Sequence, residues 1–133
     1  MPASFSGPCA LEDDAFPFEF ISHIAEVESW RKELNRPCYH IHKWWARRLG
    51  TVFRAIVLGA LTPSGTDISG AFHTPVRIRD RVVFDPFMGS GTTIGEAAKL
   101  GARAIGRDIN PGSRVVKPGG WLRPIPLICV PMN

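Results

Sequence analysis

A chain of 133 residues has room for one small domain, and its 44% hydrophobic and 21% charged content is the ordinary balance of a soluble globular protein. No apolar run approaches the roughly 20 residues of a membrane-spanning helix, and the first residues lack the basic segment and apolar stretch of a secretion signal, so a cytoplasmic setting is expected. Cys9, Cys38 and Cys129 are odd in number and far apart, which fits a reducing compartment and argues against a disulfide framework or a C-x-x-C zinc element.

The formal charge of +4 is unevenly spread. Residues 1–30 hold six acids and no Lys or Arg, whereas residues 31–54 hold Arg31, Lys32, Arg36, Lys43, Arg47, Arg48 and Arg54 against the single acid Glu33. Such a stretch attracts a polyanion such as nucleic acid, and the same composition also makes an ordinary solvated helix face.

Residues 1–21 mix Pro, Gly and acids with Phe16, Phe18 and Phe20 at alternate positions, which predicts a short strand or a flexible N-terminal arm that docks elsewhere. Residues 22–62 read as a helical segment. Ser22 is placed as an N-cap, Ile24, Val27, Trp30 and Leu34 follow helical spacing, and Glu28 stands four before Lys32 as a surface pair. A second helix is expected over 40–61, with Trp45, Leu49, Val52, Phe53, Ile56 and Ala60 on one apolar stripe and Arg47 and Arg54 off it. Pro63 stops it, and residues 63–80 read as a loop. Cys38, His40 and His42 resemble metal ligands in type, but no fourth partner lies nearby, so no metal site is expected.

Residues 81–85 (Arg-Val-Val-Phe-Asp) predict a buried parallel strand, because a short apolar run feeds straight into a glycine-rich turn. A helix over 92–100 follows, with Gly101 in the left-handed capping position, and then a second strand over 102–108. Strand, helix, strand implies a parallel sheet. The expected class is therefore α/β, a partial parallel sheet in residues 81–111 preceded by two helices. Residues 112–133 carry Pro118, Pro124, Pro126 and Pro131 and are expected to form an irregular tail.

The turn Asp85-Pro86-Phe87-Met88-Gly89-Ser90-Gly91-Thr92-Thr93 sits where the first strand ends and the helix begins, the place where doubly wound folds bind nucleotides. Gly89 and Gly91 carry no side chain to hold a ligand away from the backbone N–H groups. Asp108 closes the second strand 23 residues after Asp85, and a carboxylate there accepts hydrogen bonds from both hydroxyls of a ribose. Turn and acid together define an adenosine-sized site. A bare G-x-G is also just a tight strand-to-helix turn. Gly89, Gly91 and Gly95 further fit a nicotinamide-dinucleotide pattern, against which the Asp85-Pro86-Phe87 lead-in argues, and no Lys follows the glycines as a Walker-type loop requires.

The stretch Asp-Pro-Phe-Met-Gly-Ser-Gly-Thr-Thr resembles the cofactor motif of amino-group DNA methyltransferases, Asp-Pro-Phe-x-Gly-Ser-Gly-Thr, at every fixed position. Residues 94–111 are similar to that family's following helix and second strand. The likeness implies a Rossmann-like methyltransferase fold and S-adenosylmethionine as cofactor, contacted by Asp85, Phe87, Gly89, Ser90, Gly91, Thr92, Asp108 and Ile109. In it Gly89 and Gly91 lie beside the methionine part, Asp108 on the ribose and Ile109 near the adenine. Upstream, His42-Lys43-Trp44-Trp45-Ala46-Arg47-Arg48 and the Phe-Pro-Phe-Glu-Phe segment are similar to the start of large adenine-specific DNA methylases that carry an N-terminal domain of unknown function. That likeness implies DNA as partner, with Lys43, Arg47 and Arg48 as contacts. Trp45 is read as helix packing.

Amino methyltransferases hold the target amine with an Asp/Asn/Ser-Pro-Pro-aromatic motif, and none occurs in these 133 residues. No catalytic residue is therefore assigned. The expectation is a truncated methyltransferase whose missing remainder is a natural partner, binding cofactor weakly at best and transferring no methyl group alone. The competing expectation is a non-catalytic nucleic-acid-binding or accessory module working through residues 31–54.

Overall fold

The computed structural model of the protein describes residues 7–35, 47–110 and 128–129. Helix α1 (Phe18–Asn35) begins earlier than its expected cap at Ser22. Pro17 has no N–H to leave unsatisfied, and its carbonyl takes a helical bond from Ile21 N at 3.1 Å. The alternating phenylalanines are thus not a strand: Phe16 is buried just ahead of the helix, Phe18 faces solvent, and Phe20 meets Phe72 edge-on with ring centroids 5.8 Å apart.

Residues 7–17 are instead an arm docked on the rest of the chain. A single 3₁₀ turn (Ala10–Glu12) is capped by the Glu12 carboxylate accepting Cys9 N–H at 3.1 Å. Backbone bonds from Ala10 N to Thr62 O and from Ser64 N to Pro8 O, both 3.0 Å, tie this segment to the chain beyond the second helix. Asp13 adds to the tie, accepting from Ser64 Oγ and from Gly65 N, the latter at 2.8 Å. These donors hold its carboxyl below its ordinary value of 3.8, the Ser64 hydroxyl contributing most.

Helix α2 (Gly50–Leu61) starts after Leu49, whose extended backbone breaks the continuous helix expected over 40–61; residues 36–46, with Trp45, lie outside the described residues. Glu28 reaches across from α1 to cap it. The carboxylate accepts Gly50 N at 3.1 Å, Thr51 N at 2.8 Å and Thr51 Oγ1 at 2.6 Å, satisfying donors that a helix start leaves without intrahelical partners. Glu28 is 4% exposed, so it is no surface residue. Turning Glu28 inward also turns Val27 and Trp30 of the expected stripe outward, while its Ile24 packs on the core beside the buried Ile21.

The stripe expected on α2 is displaced in the same way. Ala55, Val57, Leu58 and Gly59 are buried while Ile56 and Ala60 are exposed. Gly-Thr-Val-Phe-Arg-Ala-Ile-Val-Leu-Gly-Ala-Leu is apolar nearly all round, so several faces satisfy the helical period and packing selects among them. Gly59 is where α2 meets the N-terminal segment: a Cβ there would stand 2.9 Å from Phe16 Cε2.

Residues 63–80 are not simply a loop, since helix α3 (Ile68–His73) forms within them, capped by Asp67 accepting Gly70 N at 3.0 Å. Ile68 and Phe72, one turn apart, enter the core. Arg54 is used up here: its Nε donates to Phe72 O at 3.0 Å and its guanidinium lies 5.5 Å from the Phe72 ring centroid.

Strand β1 (Val82–Asp85), helix α4 (Thr92–Lys99) and strand β2 (Arg103–Gly106) give the expected strand-helix-strand unit. The strands are parallel, with Val82 opposite Arg103 and Asp85 opposite Gly106. Helix α4 closes as expected on Gly101, φ 86°, with bonds from Gly101 N to Ala98 O (3.0 Å) and Ala102 N to Ala97 O (3.1 Å). A third parallel strand, β3 (Ile128–Cys129), pairs with the far side of β2 and lies inside the region expected to be an irregular tail. The class is α/β, a small parallel sheet with three helices ahead of β1 among the described residues, where two were expected. Helices α2 and α4 pack together, and the core between helices and sheet includes Leu58, Ile94, Leu100 and Ala104. β1 is less buried than expected, because its other face, carrying Val82 and Phe84, is open among the described residues.

Candidate functional site

The chain leaves β1 through a short hydrogen-bonded ladder. Arg107 N donates to Asp85 O at 2.9 Å and Met88 N to Arg107 O at 3.0 Å, so the two strand exits stay side by side beyond the sheet proper. Asp85 Oδ1 accepts Phe87 N at 3.0 Å, bending the chain over Pro86. Gly89 (φ 50°) and Gly91 (φ 75°) then take left-handed conformations that a side chain would strain, and Gly91 O receives the first α4 bond from Gly95 N at 2.8 Å. Ser90 Oγ and Thr92 Oγ1 are hydrogen-bonded at 2.9 Å at the mouth of the helix.

Asp108, past the end of β2, reaches this turn directly. Its Oδ2 accepts Gly89 N at 2.7 Å and its Oδ1 accepts Asn110 N at 2.8 Å. One carboxylate therefore ties the glycine turn to the exit of β2. Each carboxylate oxygen carries two lone pairs, so an oxygen that receives one N–H can also accept a ligand hydroxyl.

Met88, between Asp85 and the glycines, is buried, and its seat depends on Gly106. A Cβ at Gly106 would collide with Met88 Sδ and stand 3.1 Å from Ile94 Cγ1. Phe87 and Ile109 do the opposite: at 84% and 83% exposed they present apolar surface on the two chain segments that leave the strands. The arrangement offers a carboxylate, side-chain-free backbone and two apolar side chains at the ends of the strands, the complement of a ligand with hydroxyls and a flat ring. Two hollows lie elsewhere, one of about 200 Å³ between Ala10, Phe16, Thr66 and Ile68, the other beside His23 and Trp30.

The structure thus brings together Asp85, Phe87, Gly89, Ser90, Gly91, Thr92, Asp108 and Ile109. Of the basic residues singled out in the sequence, Arg47 is half-buried and Arg48 exposed just ahead of α2, while Lys43 lies outside the described residues, as do Cys38, His40 and His42. Among the described residues no three His, Cys, Asp or Glu side chains converge as a metal site would need, and no helix is long and apolar enough to cross a membrane. Sequence reasoning missed Gly106 and Glu28. The signal for Gly106 was the absent side chain itself, in a strand that faces the turn; Glu28 gave none, because the N–H groups that donate to it sit over twenty residues on.

Two family models match the chain. Residues 74–114, which include β1, the glycine turn, α4, β2 and Asp108, match the model described as DNA methylase, and residues 15–77 match a protein of unknown function (DUF1156). No curated protein and no solved structure matches. The segment built around the glycine turn is thus similar to the DNA methylases, and the segment leading into it to DUF1156.

Proposed function

We propose that the turn at residues 85–92 and Asp108 bind S-adenosylmethionine, the methyl donor for an exocyclic amine of adenine, or of cytosine, in DNA. The observation that carries this reading is the 2.7 Å bond from Gly89 N to the Asp108 carboxylate, which puts a ribose acceptor and a side-chain-free backbone in one place. Asp108 takes the ribose hydroxyls. Gly89 and Gly91 admit the methionine part, Ser90 and Thr92 line the helix entrance, and Asp85 fixes the turn from below. Ile109 and Phe87 supply apolar surface for the adenine and its surroundings. The bound cofactor would supply an electrophilic methyl group, and the protein's part is alignment and hydrogen bonding.

In this reading the parallel sheet is the first part of a Rossmann-like methyltransferase sheet, and the protein works on DNA in the cytoplasm. Lys43, Arg47 and Arg48 serve the nucleic acid. The acceptor motif is not among these 133 residues, so this chain accounts for the donor side of the reaction.

Calorimetric titration with S-adenosylmethionine tests the proposal. Asp108→Asn keeps the size of the side chain but removes the charge, and it is expected to weaken binding roughly tenfold or more, since a charge-assisted hydrogen bond contributes about 1.5–3 kcal/mol. Equal affinity of the two proteins, or preference of both for a nicotinamide dinucleotide, contradicts the assignment.

A further inference from the structure

The turn and Asp108 occupy the ends of the strands; a second group of charges gathers where the strands begin. Arg77, Arg79 and Arg81 alternate with Val76, Ile78 and Asp80 on the approach to β1, and Arg103 opens β2. Arg77, Arg79 and Arg103 are exposed, whereas Val76 and Ile78 pack on the core. Over residues 76–79 this alternation is what an extended segment with one buried and one wet side produces, and Asp80, exposed and at φ 64°, ends it before β1.

The segment is also pinned. Ile78 N donates to Leu100 O at 2.6 Å, and Arg103 N donates to Arg81 O at 2.8 Å. Gly101 lies against the backbone of Arg77 and Ile78, its Cβ position 3.6–3.7 Å from their atoms. These contacts bring the arginines of one segment beside the arginine that starts the next strand. Among the described residues Asp80 is the acid within this segment, and Glu96 is buried and bonded to Lys99 Nζ at 2.7 Å. At about 3.3 Å per residue, a strand of four residues sets this cluster on the order of 13 Å from the glycine turn.

We infer that Arg77, Arg79 and Arg103 form a second DNA-phosphate contact, at the opposite end of the sheet from the cofactor turn. Guanidinium groups on a fixed backbone suit phosphate oxygens, and their rigid placement reduces the ordering that binding requires. The choice of DNA over another polyanion rests on the DNA methylase match, which spans all three residues. It does not rest on cofactor binding. The cluster adds affinity without base specificity and without touching the reacting groups.

The test is fluorescence anisotropy of a short labelled duplex with the full 133-residue chain over a KCl series, alongside the triple variant Arg77→Gln/Arg79→Gln/Arg103→Gln. Each phosphate contact contributes about 0.9 to the slope of log affinity against log salt, so the triple variant should lower that slope by about 2.7. Replacement of the same three by Lys should keep it. Single variants should each remove about 0.9, which preserves the test if the triple variant does not fold. An unchanged slope in the variants, no duplex binding by the parent chain, or displacement of duplex by polyglutamate at matched charge overturns the inference, the last pointing to an acidic protein surface instead. Titration of the triple variant with S-adenosylmethionine should match the parent, so failure here and failure of the cofactor reading are separately visible.

Discussion

Three carboxylates each hold two parts of the chain together through backbone N–H groups, and they differ in what depends on them. Asp108 joins the glycine turn to the exit of β2, Glu28 joins α1 to the start of α2, and Asp13 joins the N-terminal segment to residues 64–65. Removing the buried Glu28 carboxylate leaves the Gly50 and Thr51 amides without their acceptor; Glu28→Ala is expected to destabilise the fold by about 2 kcal/mol in urea unfolding, with loss below about 0.5 kcal/mol contradicting its capping role. Asp13 makes a pH prediction. Its carboxyl is held below 3.8 by Ser64 and Gly65, so its contribution is complete above that value and disappears as pH falls through the lowered one. The Gly65 amide signal should therefore move on acidification below pH 3.8 in the parent and stay put in Asp13→Asn over the same window. An identical acid response in both proteins would show that the tie titrates through another group.

At the scale of elements, the sequence was most legible where backbone demands single out residue types. Gly89, Gly91 and Gly101 mark a turn and a helix end because left-handed backbone favours glycine, and the strand-helix-strand unit between residues 82 and 106 follows from them. Helix faces were less legible. On α2 the apolar residues run nearly all round, and on α1 the buried position is an acid whose partners lie in another helix. Helix α3 was hidden among Pro, Gly and Thr, although Asp67 with Gly70 three residues on carries a capping signal. Fit between elements makes its own prediction at Gly106, the seat of Met88. Gly106→Ala should cost about 1–3 kcal/mol through overpacking and, by lifting Met88, should also disturb the neighbouring glycines. Thermal unfolding and S-adenosylmethionine titration should both weaken; a variant as stable as the parent with intact binding would separate Met88 from the turn.

For the whole molecule, the sheet divides the surface into two ends and two faces. One end carries the glycine turn and Asp108, the other the arginine cluster; one face is covered by α2 and α4, and the other shows Val82 and Phe84 at 54% and 56% exposed. Strand order puts β1 at the sheet edge among the described residues, a place where further parallel strands of a larger sheet would add. The class and the candidate site could be read in the sequence, but β3 was hidden, because Pro126 and Pro131 closely bracket its short apolar run. Amide NMR of the labelled chain during titration with S-adenosylmethionine tests the proposed nucleoside grip residue by residue. The predicted result is the largest shifts at Gly89, Gly91, Asp108 and Ile109. Shifts centred instead on the hollow lined by Phe16, Thr66 and Ile68, with the glycine turn silent, would contradict it.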